Sequence, residues 1–132
     1  MSQEEQNIEL IKKGYEAFNA GDGNTVMSLF DDNVEWIQPG DSAISGTYRG
    51  KQEVAELFAR MGEKQTSVTA HRFLADGDLV VVLGQSTTAG ETTDQAQAIT
   101  VRNGKAVHVQ GYVDTATQEH IFGRKILAKK VQ

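Results

Sequence analysis

The stretch Val34-Glu35-Trp36-Ile37-Gln38-Pro39 is predicted to be a β-strand around which the rest of the chain is organised. Side chains alternate between the two faces of a β-strand, so Trp36 and Gln38 share one face with Val34. Pro39 lacks the N–H group that a sheet ladder needs, and the strand is predicted to end there, under the glycine-containing loop that follows. Trp36 beside Gln38 under a loop favours a pocket wall, with a Trp in an ordinary core as the alternative.

The composition limits the class of protein. A length of 132 residues fits one domain, and 13 Lys and Arg against 18 Asp and Glu give a net charge of −5. An acidic chain argues against nucleic-acid binding, which needs a basic face. The sequence has no cysteine and no apolar run near the roughly 20 residues that cross a membrane. Its polar, acidic N-terminus is unlike a targeting peptide, so a cytoplasmic location with no nucleic-acid or membrane partner is predicted.

Residues 117–132 carry the opposite charge from the rest of the chain. They contain Arg124, Lys125, Lys129 and Lys130 against a single acidic residue, Glu119. The sequence therefore predicts one domain over 1–132 that ends in a basic C-terminal tail over 117–132. A solvated end is favoured over a segment that docks on phosphate or on an acidic partner.

Apolar residues recur at helical spacing in the first half of the chain. Ile8, Ile11, Tyr15 and Phe18 share one face of the first predicted helix. Gly21 is suited to end that helix, because glycine readily takes the left-handed conformation found there. Three helices are predicted, over residues 4–20, 26–30 and 51–61.

The pattern changes to β-strand after Gly62, where β-branched residues dominate. Two sequence pairs, Asp76-Gly77 and Asn103-Gly104, are typical of hairpin turns. Four strands are predicted here, over residues 67–75, 78–88, 94–102 and 105–115. Helices followed by an antiparallel meander predict an α+β fold in which the helices cover one face of the sheet.

Several motifs, in this order, resemble the SnoaL-like branch of the nuclear transport factor 2-like (ketosteroid isomerase-like) superfamily over about residues 5–116. They are YEAFNAGD at 15–22, GTYRG at 46–50, LADGD at 74–78, NGK at 103–105 and GYVDT at 111–115. The resemblance implies a cone-shaped, strongly curved, mainly antiparallel sheet wrapped on three N-terminal helices, a ligand cavity and a homodimer through the sheet. The superfamily includes ketosteroid isomerases, limonene epoxide hydrolases, polyketide cyclases and proteins without catalytic activity, so the fold alone does not assign a reaction.

The catalytic positions that the resemblance implies lack their functional groups. The base of the ketosteroid isomerases falls on Gln38, their tyrosine on Gly14, and their acid on Gln97 or close to it. The base of the limonene epoxide hydrolases falls on Gly111. An amide does not take up and return a proton near neutral pH, and glycine has no functional group. Tyr15 is one position beyond Gly14, about 100° around the helix.

Three residues remain as tentative catalytic groups: His71, Tyr15 and Asp114. Strand alternation places Asp114 opposite the apolar face of Val107, Val109 and Val113, so a structural role at the strand end is favoured. For His71, a place on the sheet surface is favoured over a pocket base. The sequence shows neither metal-ligand spacing nor a glycine-rich phosphate loop, so neither a metal nor another cofactor is predicted.

The predicted cavity is largely apolar and binds a small hydrophobic or cyclic molecule, with Gln38 and Gln97 as fixed polar contacts and with space left at Gly84 and Gly111. Its predicted lining is Phe18, Trp36, Gln38, Phe58, Val82, Gly84, Gln97, Ile99, Val109, Gly111 and Val113. A fully packed core without a cavity is the alternative. Two functions remain open: a binding protein without the known catalytic residues, or an isomerase, polyketide cyclase-like or epoxide hydrolase-like enzyme with a non-standard acid or base. A protein-interaction module that uses the basic tail is a weaker third hypothesis.

Overall fold

The computed structural model describes residues 1–125 and shows the predicted α+β fold. The helices are α1 (Gln3–Asn19), α2 (Gly23–Ser28), α3 (Gly50–Glu63) and α4 (Thr115–Phe122). The strands are β1 (Phe30–Gln38), β2 (Gly46–Arg49), β3 (Ser67–Asp76), β4 (Leu79–Thr88), β5 (Glu91–Arg102) and β6 (Lys105–Tyr112). They form one sheet in the order β2-β1-β6-β5-β4-β3, in which only the β1–β6 pair is parallel. Within residues 1–125, no helix is long and apolar enough to cross a membrane.

The two N-terminal helices begin and end at clear local signals. Ser2 and Glu5 form a capping box that starts α1. Gly21, with φ +74°, follows the end of α1, and the Asp22 carboxylate accepts the Thr25 N–H at 3.2 Å to start α2. The prediction that α2 extends through Phe30 was wrong, because Phe30 already pairs with Ala106 across the sheet.

Strand β1 has the inner face and the end that the sequence predicts. Its inner face buries Val34, Trp36 and Gln38, and the strand ends at Gln38 before the proline. Strand β2 was not predicted; it pairs antiparallel with β1 and is only four residues long, too short for a clear alternation signal.

Two-residue turns connect strands β3 to β6. Asn103 and Gly104 both have positive φ, as a hairpin of this type requires, and Ala89 with Gly90 repeats the geometry between β4 and β5. The first turn consists of Gly77 and Asp78, one residue later than predicted, because Asp76 still pairs with Leu79.

Two β-bulges change which side chains face the core. In β3, Ala70 pairs with Gly84 and Arg72 with Leu83, so His71 is the extra residue and lies exposed. In β6, the register shifts at Val107, so Ala106 and not Val107 takes the buried position beside Val109. The predicted alternation therefore holds for only part of each strand.

Residues 115–122, which were assigned to the end of a strand and to the basic tail, form helix α4. Asp114 is its N-cap, and its carboxylate accepts the Thr117 N–H at 3.0 Å. Beyond the helix, the Ala43 N–H donates to the Gly123 carbonyl at 2.8 Å, and the Lys125 N–H donates to the Asp41 carbonyl at 2.8 Å. These bonds attach the end of α4 to the loop after β1. Lys129 and Lys130 of the predicted tail lie outside the described residues.

Candidate functional site

An inner cavity lies between the helices and the inner face of the sheet. Its volume is about 100 Å³. A single water molecule needs roughly 10–15 Å³ on the same scale, so the cavity has room for several. Eight of the predicted residues line it: Phe18, Trp36, Gln38, Phe58, Ile99, Gln97, Val109 and Val113. Tyr15 and Gly14, neighbours on α1, both line it as well.

Aromatic rings form one wall of the cavity. Phe58 on α3 makes edge-to-face contacts with Trp36 and Phe18, with ring centroids 5.1 and 5.3 Å apart. Trp36, Val109 and Ile99 stand opposite one another on β1, β6 and β5, all buried. Interlocked side chains of this kind hold the wall in one arrangement.

One polar group of the lining is an indole joined by hydrogen bonds to two amides. We call it the Gln38 cluster (Trp36, Gln38 and Gln118). The Trp36 indole Nε1–H donates to Gln38 Oε1 at 3.0 Å, and Gln38 Nε2 donates to Gln118 Oε1 at 3.0 Å. Because an indole nitrogen can only donate, it fixes the orientation of the Gln38 amide, and that in turn fixes Gln118. Gln38 is only 3% exposed, so its bonds are made in a dry environment.

Tyr15 and Gln97 form the second polar group, the Tyr15 pair. The Tyr15 hydroxyl donates to Gln97 Oε1. Burial raises the pKa of the Tyr15 phenol, because removal from water disfavours the phenolate. Tyr15 is therefore a neutral hydrogen-bonding group at physiological pH.

Three residues of the predicted lining lie elsewhere. Val82 is buried in the core beside Phe73 and Gln97, outside the lining. Gly84 was predicted to leave room for a ring system, and this was wrong: a Cβ there would lie 2.2 Å from the Thr69 carbonyl oxygen. The backbone of the β3 bulge already occupies that space.

Gly111 borders the cavity without lining it. It pairs with Gln97 on β5, and the parallel register that pairs Ile37 with Gln110 places it beside Gln38. A Cβ at Gly111 would lie 3.8 Å from Gln38 Oε1 and 3.4 Å from the Ile37 carbonyl oxygen, both ordinary contacts. Gly111 therefore separates the Gln38 cluster from the Tyr15 pair.

Of the three tentative catalytic residues, Tyr15 lines the cavity and His71 and Asp114 lie outside it. His71 is exposed at the bulge, and Asp114 is exposed where it caps α4, so neither lines the cavity. Only Tyr15 lies inside. Among residues 1–125, the lining includes no carboxylate, imidazole, ammonium or guanidinium group, and no cluster of three His, Cys, Asp or Glu is placed to hold a metal ion.

Sequence reasoning missed the contribution of α4. Gln118 and Phe122 line the cavity from a helix that lies where a tail was expected. A signal was present: Asp114 ahead of a polar run is a helix N-cap pattern. It was outweighed because the apolar periodicity of residues 115–122 is weak.

The sequence model of the SnoaL-like domain matches residues 11–109. The uncharacterized protein Rv0034 of Mycobacterium tuberculosis is 28% identical over 128 residues, which span 90% of this chain and 98% of that protein. Bal32a, from a soil-derived mobile gene cassette, has 27% identity and a TM-score of 0.84, covering 93% of this chain and all of its own. TerC, co-crystallized with polyporic acid, has 27% identity and a TM-score of 0.80, covering 89% of this chain and 98% of its own. Other similar structures are described as NTF2-like or cystatin-like in fold.

Proposed function

The chain belongs to the SnoaL-like domain family, and we propose that it is a binding protein for small hydrophobic or cyclic molecules. The observation that carries this proposal is the chemistry of the lining, which combines apolar and aromatic walls with amides and hydroxyls. Small-molecule sites have this composition, a mainly apolar surface with a few fixed polar groups. The similarity to TerC, which was co-crystallized with polyporic acid, supports the same conclusion.

The absence of a base in the described lining supports binding over catalysis. Proton abstraction and water activation need a base within hydrogen-bond reach of the substrate. Tyr15 is the only titratable side chain that residues 1–125 contribute to the lining, and burial raises its pKa further above neutral pH, so it is protonated there and does not act as a base. Gln38 and Gln97, at positions where the resemblance implies a base and an acid, are amides.

An isomerase, cyclase or hydrolase is the alternative function, and Tyr15 is the observation that favours it. A neutral phenol inside an apolar cavity that exchanges its bond to Gln97 Oε1 for one to a substrate oxygen stabilises developing negative charge there. Such a reaction would need a base from outside the lining that residues 1–125 provide. Incubation of a bound compound with the protein distinguishes the two functions: a binding protein returns it with unchanged mass and chromatographic retention.

The test of binding is thermal unfolding of the full chain with a panel of hydrophobic cyclic compounds, together with mass spectrometry of small molecules released from the purified protein. A ligand at about 100 times its Kd adds about 2.7 kcal/mol to the free energy of unfolding, a shift of several degrees in Tm. Val113→Trp, which fills the lining, should abolish the shift, and Val81→Trp, on the opposite sheet face, should retain it. If no compound is released and none raises Tm, the proposal is wrong.

The homodimer through the sheet, the cytoplasmic location and the role of the basic tail remain predictions. Leu83 and Tyr112 are exposed on the outer sheet face, where a dimer of the predicted kind would bury them. Analytical ultracentrifugation of the full chain measures the oligomeric state directly.

A further inference from the structure

Two of the polar groups that line the cavity, the Gln38 cluster and the Tyr15 pair, lie on opposite sides of one position in the sheet. Gln38, Gly111 and Gln97 stand side by side on β1, β6 and β5. Neighbouring strands are about 4.8 Å apart, so the two glutamine backbones are separated by roughly 10 Å. The missing side chain at Gly111 leaves the Gln38 cluster and the Tyr15 pair as separate groups.

The Gln38 cluster presents a hydrogen-bond donor to the cavity. Gln118 uses its carbonyl oxygen to accept from Gln38, so its Nε2 group keeps two N–H donors. Gln118 is half-buried and lines the cavity, so these donors lie at the cavity border.

The Tyr15 pair ends in the same kind of group. The carbonyl oxygen of Gln97 accepts from the Tyr15 hydroxyl, so the hydrogen-bonding groups left on its amide are the two Nε2–H donors. Both polar groups therefore offer amide N–H, and both line the same cavity. An amide donor in an apolar site favours an acceptor oxygen, since an unpaired donor there carries a desolvation cost of about 1–3 kcal/mol.

The uncharged lining that residues 1–125 provide disfavours ionised ligands. The described lining has no cation to pair with a carboxylate and no carboxylate to pair with an amine. An unpaired ion loses its hydration on entering such a cavity without compensation. Tyr15 is neutral and therefore adds no charge to the lining.

We propose that the ligand of this cavity is an uncharged ring compound with acceptor oxygens at two opposite positions, one bound by Gln118 Nε2–H and the other by Gln97 Nε2–H. This inference rests on the proposed binding function and narrows it to a chemical class. Trp36 and Gln38 act as positioning residues, because they hold the Gln118 amide in the orientation that donates.

The test uses isothermal titration calorimetry with four probes on one two-ring skeleton: 1,4-naphthoquinone with two opposite oxygens, 1-tetralone with one, tetralin with none, and 1-naphthoate with a charge. A net hydrogen bond of about 1 kcal/mol corresponds to about fivefold in Kd. We expect the quinone to bind about fivefold more tightly than the tetralone and about 25-fold more tightly than tetralin, with 1-naphthoate weakest.

Two variants test whether each proposed donor is used. Gln118→Met and Gln97→Met keep an unbranched side chain and remove the amide, and each should weaken the quinone about fivefold without changing the affinity for tetralin. Gln110→Met, on the outer sheet face, is the matched control and should change neither affinity.

The outcomes separate this inference from the proposed function. Tetralin that binds as tightly as the quinone, or 1-naphthoate that binds most tightly, overturns the ligand class and leaves a hydrophobic binding protein. Quinone binding that both glutamine variants leave unchanged overturns the assigned donors. Failure of all four probes and of the wider compound panel counts against binding itself.

Discussion

Gly84 and Gly111 occupy inward-facing positions on the two strands that flank β5, yet their surroundings differ completely. At Gly84 the β3 backbone occupies the place of a side chain, with the Thr69 carbonyl oxygen 2.2 Å from a Cβ position. At Gly111 the same position meets only ordinary contacts at 3.4 Å and beyond. The first glycine joins two strands closely, and the second separates two polar groups at the cavity border. An inward glycine therefore indicates space only after the neighbouring backbone has been located.

Gly84→Ala is expected to have the largest effect, because backbone atoms and not a flexible side chain would have to move. Overpacking of this kind costs about 3 kcal/mol and should lower Tm by about 10 °C. Thermal unfolding followed by circular dichroism measures the change. Gly62→Ala is the control: it adds the same methyl group to α3 with nothing within 4 Å, and it should stabilise the protein slightly. Equal Tm values for the two variants would contradict the close approach at Gly84.

The next test is the ionisation of Tyr15, whose partner Gln97 lies beside Gly111 in the sheet. It measures whether water reaches the Tyr15 phenol. An unfolded tyrosine ionises near pH 10, whereas burial raises the pKa of Tyr15 in the folded chain. The stabilisation from the neutral phenol is therefore complete below about pH 10 and is lost as pH rises above it, by up to about 1.4 kcal/mol per pH unit.

Urea unfolding between pH 8 and 11 measures this loss. Tyr15→Phe should flatten the alkaline decline, and Tyr112→Phe, which removes a hydroxyl from an exposed ring, should leave it unchanged. An identical pH profile for wild type and Tyr15→Phe would show that the phenol is hydrated.

Gly111→Ala should have the smallest effect on folding and a selective effect on binding. The methyl group fits in ordinary contact, so Tm should change by no more than about 2 °C. It would lie beside the Gln38 amide and fill part of the space between the Gln38 cluster and the Tyr15 pair. The Kd of 1,4-naphthoquinone should therefore rise about threefold. Calorimetry on the variant measures this change. A loss of stability comparable with that of Gly84→Ala would remove the distinction between the two glycines.

Local patterns were sufficient for most of the fold. Helices α1 and α3 follow from apolar spacing, and the turn at Asn103 and Gly104 follows from residue types that accept positive φ. The inner face of β1 follows from strand alternation, which correctly placed Trp36 and Gln38 in the cavity wall.

The errors at Gly84 and at Gln118 share a physical cause: each depends on a long-range contact. The bulge at His71 reverses the alternation of β3, and only the facing strand shows why Gly84 must be glycine. Likewise, α4 is held by bonds to the loop after β1, about 80 residues earlier, so Gln118 could not be assigned to the site from its neighbours. The candidate site was therefore predictable where local periodicity places a side chain, as for Phe18, Trp36 and Phe58, and not where a bulge or α4 decides the placement.

The contact between Asn19 and Val68 has a consequence for how the protein behaves at high concentration. Strand β3 is an edge of the sheet, and exposed edges recruit strands from other molecules. The Asn19 amide occupies part of that edge, donating to the Val68 carbonyl at 2.7 Å and accepting the Val68 N–H at 2.9 Å, as a neighbouring strand would. Glu4 accepts the Gly77 N–H at 2.9 Å near the other end of the strand. Side chains of α1 thus occupy hydrogen-bonding groups at this edge that the strand of another molecule would otherwise use, and Asn19 does so without lining the cavity.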